Sequence, residues 1–223
     1  MPAHRAPTAV LFDLDGTLLD SIPDLSEACH RMMVELGRPP HDIEVIRSFV
    51  GKGMINLVRR CLAESGSAEA AEVDAAVDVF RRHYAVVNGE RTVIYPGVVE
   101  ALAAFEAAGV PMACVTNKPG AFTGPLLART GIDRFFAVTV SGDTLPDKKP
   151  HPAPLLHACG QLGVPADAAW MIGDSANDAE AARAAGMPVL LVTYGYSEGR
   201  PVDSIECDGL LSSLVDALPR ILT

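Results

Sequence analysis

The sequence predicts an α/β fold: a Rossmann-like, doubly wound parallel sheet carrying an inserted α-helical cap. Short apolar runs recur along the chain, amphipathic helical patterns lie between them, and one long stretch near the start carries helical periodicity without a strand.

The runs 8–13, 110–116, 137–141, 169–173 and 189–193 read as strands. Each is almost continuously hydrophobic, as expected of a strand covered on both faces. Helical patterns fill 98–108, 122–130, 154–162 and 177–185. Parallel strands need long crossovers, and a helix of this length supplies one. The stretch 21–91 breaks the rhythm with helical segments at 25–36, 43–50, 54–64 and 70–87. The expected organisation is therefore a core begun by 1–20, a helical cap over 21–91, and the rest of the core over 92–223. The insertion leaves the carboxyl end of the first strand, where open α/β sheets bind ligands.

Composition bounds the function. Of 223 residues, 49% are hydrophobic and 21% charged, ordinary for a globular enzyme. A formal charge of −10 argues against nucleic acid as partner, because phosphate-backbone binding needs clustered Lys and Arg. The five cysteines (Cys29, Cys61, Cys114, Cys159, Cys207) never form a Cys-x-x-Cys pair, so neither a zinc site nor a disulfide framework is expected. Cys114, in an apolar run, reads as a buried thiol. Few residues precede the first apolar run and none of the runs is long enough to span a bilayer. A cytoplasmic chain with no membrane partner, monomeric or homodimeric, is the expectation.

Chemistry gathers at the strand ends. The first strand runs into Asp13-Leu14-Asp15-Gly16-Thr17. Residues two apart on a strand share a side, so both carboxylates can reach one cavity at its carboxyl edge. Gly16 permits a sharp turn whose backbone N–H groups could cradle phosphate oxygens. The run 169–173 leads into Asp174-Ser175-Ala176-Asn177-Asp178, where two carboxylates four apart offer hard oxygen ligands suited to Mg²⁺. Thr116-Asn117-Lys118 closes another strand, with a hydroxyl and N–H groups able to hold phosphate. Lys148-Lys149-Pro150 follows the strand 137–141 and could bring an ammonium to the phosphoryl group. Alone, each segment also reads as a cap, a turn or a solvated surface. In an open sheet, however, all four ends converge on one crevice.

These four segments (Asp13-x-Asp15-Gly16-Thr17, Thr116, Lys149-Pro150 and Gly173-Asp174…Asp178) resemble the motifs of the haloacid dehalogenase superfamily, and the resemblance covers nearly the whole chain. It implies Asp13 as nucleophile, with Asp15 as general acid and then general base. It further implies Mg²⁺ held by Asp13, the Asp15 carbonyl and Asp174, with support from Asp178, and a phosphoryl group held by Thr116 and Lys149. Phe12 to Leu18, Asp20-Ser21-x-Pro23-Asp24-Leu25, Val50-Gly51-Lys52-Gly53, the segment from Ser141 to Pro146 and Tyr194-Gly195-Tyr196 are similar to the phosphoglycolate phosphatases of that superfamily. This resemblance implies a small phosphate monoester, 2-phosphoglycolate, as substrate. Gly51 and Gly53 would give a substrate loop its freedom, with Lys52 solvated or facing the substrate. Lys148 leaves open which lysine points inward, the Lys-Pro pairing favouring Lys149. His151 stands where relatives often have an acidic residue. A phosphatase for another sugar phosphate or for pyrophosphate, a phosphoglucomutase-like mutase and a non-catalytic phosphate-binding protein are the other readings. Dehalogenases and phosphonatases usually lack the second acid, so Asp15 argues against both.

Overall fold

A computed structural model describes residues 9–66 and 69–222. The expected strand start at Thr8 lies outside the described residues.

Strand β1 (Ala9–Phe12) is central, flanked by β4 (Met112–Val115) and β6 (Ala169–Gly173). With β5 (Val138–Val140), β7 (Val189–Val192) and β8 (Gly209–Leu211), these strands form a parallel sheet in the order β5-β4-β1-β6-β7-β8 among the described residues. The apolar runs are continuous because alternate residues serve opposite faces. Val10, Phe12, Met112, Cys114, Leu190 and Val192 join one buried cluster, which packs on helices α5 (Val98–Ala107) and α6 (Gly120–Thr130). Ala9, Leu11, Ala113, Val115, Val189 and Leu191 join the other, against α7 (Ala153–Leu162) and α8 (Ala176–Ala184).

The chain winds from β1 to β4 and β5 on one side, then to β6, β7 and β8 on the other. This reversal opens the crevice at the carboxyl end of β1.

Two features were not foreseen. β8 is three residues long and half-exposed, too short and too polar in its surroundings for a periodicity signal. A two-stranded antiparallel pair, β2 (Leu19–Asp20) with β3 (Val93–Ile94), joins the ends of the helical insertion. Between them stand α1 (Ile22–Glu35), α2 (Ile43–Phe49), α3 (Met54–Glu64) and α4 (Ala70–Val87). These helices bury their own apolar cluster, including Met32, Val58, Phe80 and Tyr84, and it extends to Phe122 and Tyr196 of the core. Asp24 locks the base of the insertion. Its carboxylate, 1% exposed, accepts from the N–H groups of Gly89, Arg91 and Thr92 at 2.8–3.0 Å and from the Thr92 hydroxyl at 2.6 Å.

Candidate active site

Asp13 immediately follows β1, and its N–H continues the ladder to Ile172 O at 3.0 Å. Its Oδ1 accepts from the Leu14 N–H at 2.7 Å and lies 2.9 Å from Lys149 Nζ. Oδ2 has no hydrogen-bond partner among the described residues, so one oxygen is held and the other is free. Lys149 also donates to Asp178 Oδ1 at 2.7 Å, and its side chain is 1% exposed. Lys149 is thus the inward lysine; Lys148 is half-buried beside it, and His151 is exposed near Asp147.

Asp178 is wholly buried at the start of α8. Its Oδ2 accepts from the N–H groups of Asp174 and Ser175, both at 3.2 Å, and from the Ser175 hydroxyl at 2.9 Å. A capping box therefore positions the acid that positions Lys149. Asp174 accepts from the Tyr196 N–H at 2.7 Å and from the Thr17 hydroxyl at 3.3 Å. Gly16, at φ +89°, packs so closely that a Cβ there would collide with the Asp174 carboxylate. The Gly16 N–H itself donates to Leu19 O at 2.9 Å, so its service to the site is close approach.

Oxygens of Asp13, Asp174 and Asp178 lie within 4.8 Å of one another. Burial raises the Asp13 carboxyl to about 7, with Asp178 adding repulsion and Lys149 opposing. Burial, Asp178 and Asp13 together push Asp174 well above its ordinary value. Burial pulls Lys149 down, but Asp13 and Asp178 outweigh it and hold the ammonium charged. One ammonium among three crowded carboxylates leaves excess negative charge, and hard oxygen donors with that excess fit a divalent cation.

Asp15 stands beside this cluster, held by the Ser21 hydroxyl at 2.5 Å and by Lys118 Nζ at 3.1 Å from each oxygen. The Tyr84 hydroxyl, on α4, is 2.5 Å from the same ammonium. Asp15, Lys118 and Tyr84, together with Asp13 and Thr116, line a cavity of about 50 Å³, whose other walls include Leu25, Met54, Leu57, Phe80 and Phe122. Lys118 and Tyr84 were missed as site residues. Lys118 precedes Pro-Gly and reads as a turn; Tyr84 shares a helix face with Phe80, which shows burial but not its hydroxyl's partner.

Thr116 is buried, its N–H spent on Val140 O and its hydroxyl accepting from the Lys118 N–H at 3.2 Å. The Asn117 carboxamide donates to Gly51 O at 3.0 Å and Lys149 O at 2.9 Å, tying the core to the helical insertion. Gly51 and Gly53 line the cavity. Lys52 does not; its side chain is 55% exposed and 3.5 Å from Glu198. Gly51, at φ +141°, has no room for a side chain, because Glu198 fills that space. Tyr196 is a further residue that sequence reasoning left without a role: it joins the insertion's apolar cluster, and its hydroxyl accepts from the Ser21 N–H at 2.8 Å.

With this geometry in place, the model of the haloacid dehalogenase-like hydrolases matches residues 10–192, spanning Asp13 to Asp178. The chain belongs to the haloacid dehalogenase-like hydrolase family. A phosphoglycolate phosphatase of Cupriavidus necator is 47% identical over 216 residues, covering 97% of this chain and 93% of that protein. One of Thiobacillus denitrificans is 47% identical over 94% of this chain and 93% of its own length. The crystal structure of a predicted phosphoglycolate phosphatase from Haemophilus somnus superposes with a TM-score of 0.87 at 31% identity, covering 98% of this chain and 99% of that one. The hydrolase is a phosphoric monoester hydrolase with a cluster able to hold a metal. No described helix is long and apolar enough to cross a membrane.

Proposed function

We propose that this hydrolase converts 2-phosphoglycolate to glycolate and inorganic phosphate, with Mg²⁺ as cofactor and an aspartyl phosphate on Asp13 as intermediate. The observation that carries the reading is the Asp13 carboxylate, with Oδ1 fixed by Lys149 and Leu14, an oxygen within 4.8 Å of Asp174 and Asp178, and Asp15 lining the same cavity. The relatives named phosphoglycolate phosphatases support the substrate.

Asp13 Oδ2 attacks phosphorus, forming one P–O bond as the ester P–O bond breaks. Asp15 gives its proton to the departing glycolate oxygen, then takes one from a water. That water's oxygen bonds to phosphorus, the bond to Asp13 breaks, and the carboxylate is restored. The Lys149 ammonium and Thr116 hydroxyl hold phosphoryl oxygens, and Asn117, its carboxamide committed elsewhere, contributes its backbone N–H. Asp13, the Asp15 carbonyl and Asp174 would hold Mg²⁺, while Asp178 orients Lys149. Bound there, the metal would neutralise charge gathering on the transferred oxygens. Segment 21–91 acts as a cap that excludes water, with Gly51 and Gly53 at the cavity and Lys52 clasping Glu198. The five free thiols suit a reducing compartment such as the cytoplasm.

The test is phosphate release from 2-phosphoglycolate, sugar phosphates, pyrophosphate and p-nitrophenyl phosphate, with Mg²⁺ and with EDTA. The expected result is the highest kcat/KM on 2-phosphoglycolate, activity lost in chelator and restored by Mg²⁺. A clearly better sugar phosphate or pyrophosphate removes the substrate assignment; full activity in EDTA removes the metal.

A further inference from the structure

We propose that Lys118, oriented by the Tyr84 hydroxyl, recognises a carboxylate on the leaving group of the substrate. Among the described residues lining the cavity, Lys118 is the one cation. Its side chain is 3% exposed, reaching both Asp15 oxygens at 3.1 Å and the Tyr84 hydroxyl at 2.5 Å. Burial alone would lower its affinity for a proton, but Asp15 and Tyr84 outweigh it and the ammonium stays charged.

The two buried lysines divide the labour by position. Lys149 lies against Asp13 and Asp178, on the side of the phosphoryl group. Lys118 pairs with Asp15, which in the mechanism above faces the departing oxygen. This deepens the reading above and rests on its placement of Asp15 at the ester oxygen. In 2-phosphoglycolate the carboxylate carbon is two bonds from that oxygen. A substrate seated with its ester oxygen at Asp15 therefore brings its carboxylate next to the Lys118 ammonium.

The apolar part of the lining favours a cation there. Leu25, Met54, Leu57, Phe80 and Phe122 offer an entering carboxylate no hydrogen bond, so it would lose its water uncompensated. An ammonium has three donors: Tyr84 keeps one, and Asp15 and the substrate share the rest. Tyr84 belongs to α4 of the helical insertion, so the insertion itself sets where the charge points. A lysine that only steadied Asp15 would affect all substrates alike, and that difference is measurable.

The experiment compares kcat/KM for 2-phosphoglycolate and its neutral amide, 2-phosphoglycolamide, with Mg²⁺ present. The panel is wild type, Lys118→Met, Lys118→Gln, Lys118→Arg and Tyr84→Phe. Wild type is expected to prefer the acid; Met and Gln should shrink that preference about tenfold to a hundredfold, the worth of a charge-assisted hydrogen bond. Arg should retain much of it, and Tyr84→Phe should weaken it several-fold through KM. Independently of any variant, 3-phosphonopropionate, which has CH2 in place of the ester oxygen, should inhibit wild type at least about tenfold better than its amide does. Equal losses on both substrates in a folded Lys118→Gln overturn the role of Lys118 while leaving the substrate reading intact. A wild type indifferent to the carboxylate, in turnover and inhibition alike, overturns the substrate reading and this assignment with it.

Discussion

Asp13 and Asp174 carry the tension of the site, since both are pressed together in a buried space that favours their protonated forms. Asp13→Asn keeps the shape and the Leu14 N–H bond but removes the nucleophile. Turnover is expected to fall at least about a thousandfold, with the far-ultraviolet circular dichroism unchanged. Near-normal turnover would remove Asp13 from that role. The raised carboxyls also set a pH dependence. Between the ordinary value of 3.8 and about 7, folded metal-free protein holds a proton at Asp13 that the unfolded chain has released. Its stability therefore falls as pH rises through that window. A cation that binds the deprotonated cluster reverses this, so the rise in Tm on adding Mg²⁺ should be larger at pH 8 than at pH 5. An equal rise at both would contradict the metal assignment.

At the scale of elements, the insertion is fixed at its base by one carboxylate. Asp24 satisfies three N–H groups from the chain's return toward β3, and none of those donors has an equivalent partner once it is gone. Asp24→Ala should cost at least about 2 kcal/mol in denaturant unfolding and speed hydrogen exchange at Gly89, Arg91 and Thr92. Unchanged exchange there would mean that β2 and β3 alone hold the hinge. The helices above that hinge were legible because their apolar residues repeat on one face, as in Val73, Val77, Phe80, Tyr84 and Val87 of α4. The main core strands were legible for a related reason: two covered faces leave no polar alternation. β2, β3 and β8 were not, being two or three residues each and held by their partners rather than by their own pattern.

Across the whole molecule, the site exists because β1 lies between β4 and β6, so residues more than a hundred positions apart emerge side by side. Four short motifs at strand ends were enough to foresee that convergence. They could not disclose Lys118, Tyr84 or Tyr196, whose meaning arises only when the insertion meets the core: an ammonium between Asp15 and a phenol, and a backbone N–H on Asp174. In a chain of net charge −10, the two buried lysines of this crevice supply the local positive charge that an anionic substrate needs.

A covalent phosphoryl group on Asp13 can be caught directly. Acid quench during turnover of 2-phosphoglycolate, followed by borohydride reduction and peptide mass spectrometry, reads which carboxylate was phosphorylated. The expected product is homoserine at position 13 in wild type and in no peptide from Asp13→Asn. Reduction at Asp15 or Asp174, or none at all under conditions where glycolate is released in a burst ahead of phosphate, would remove the covalent intermediate from Asp13.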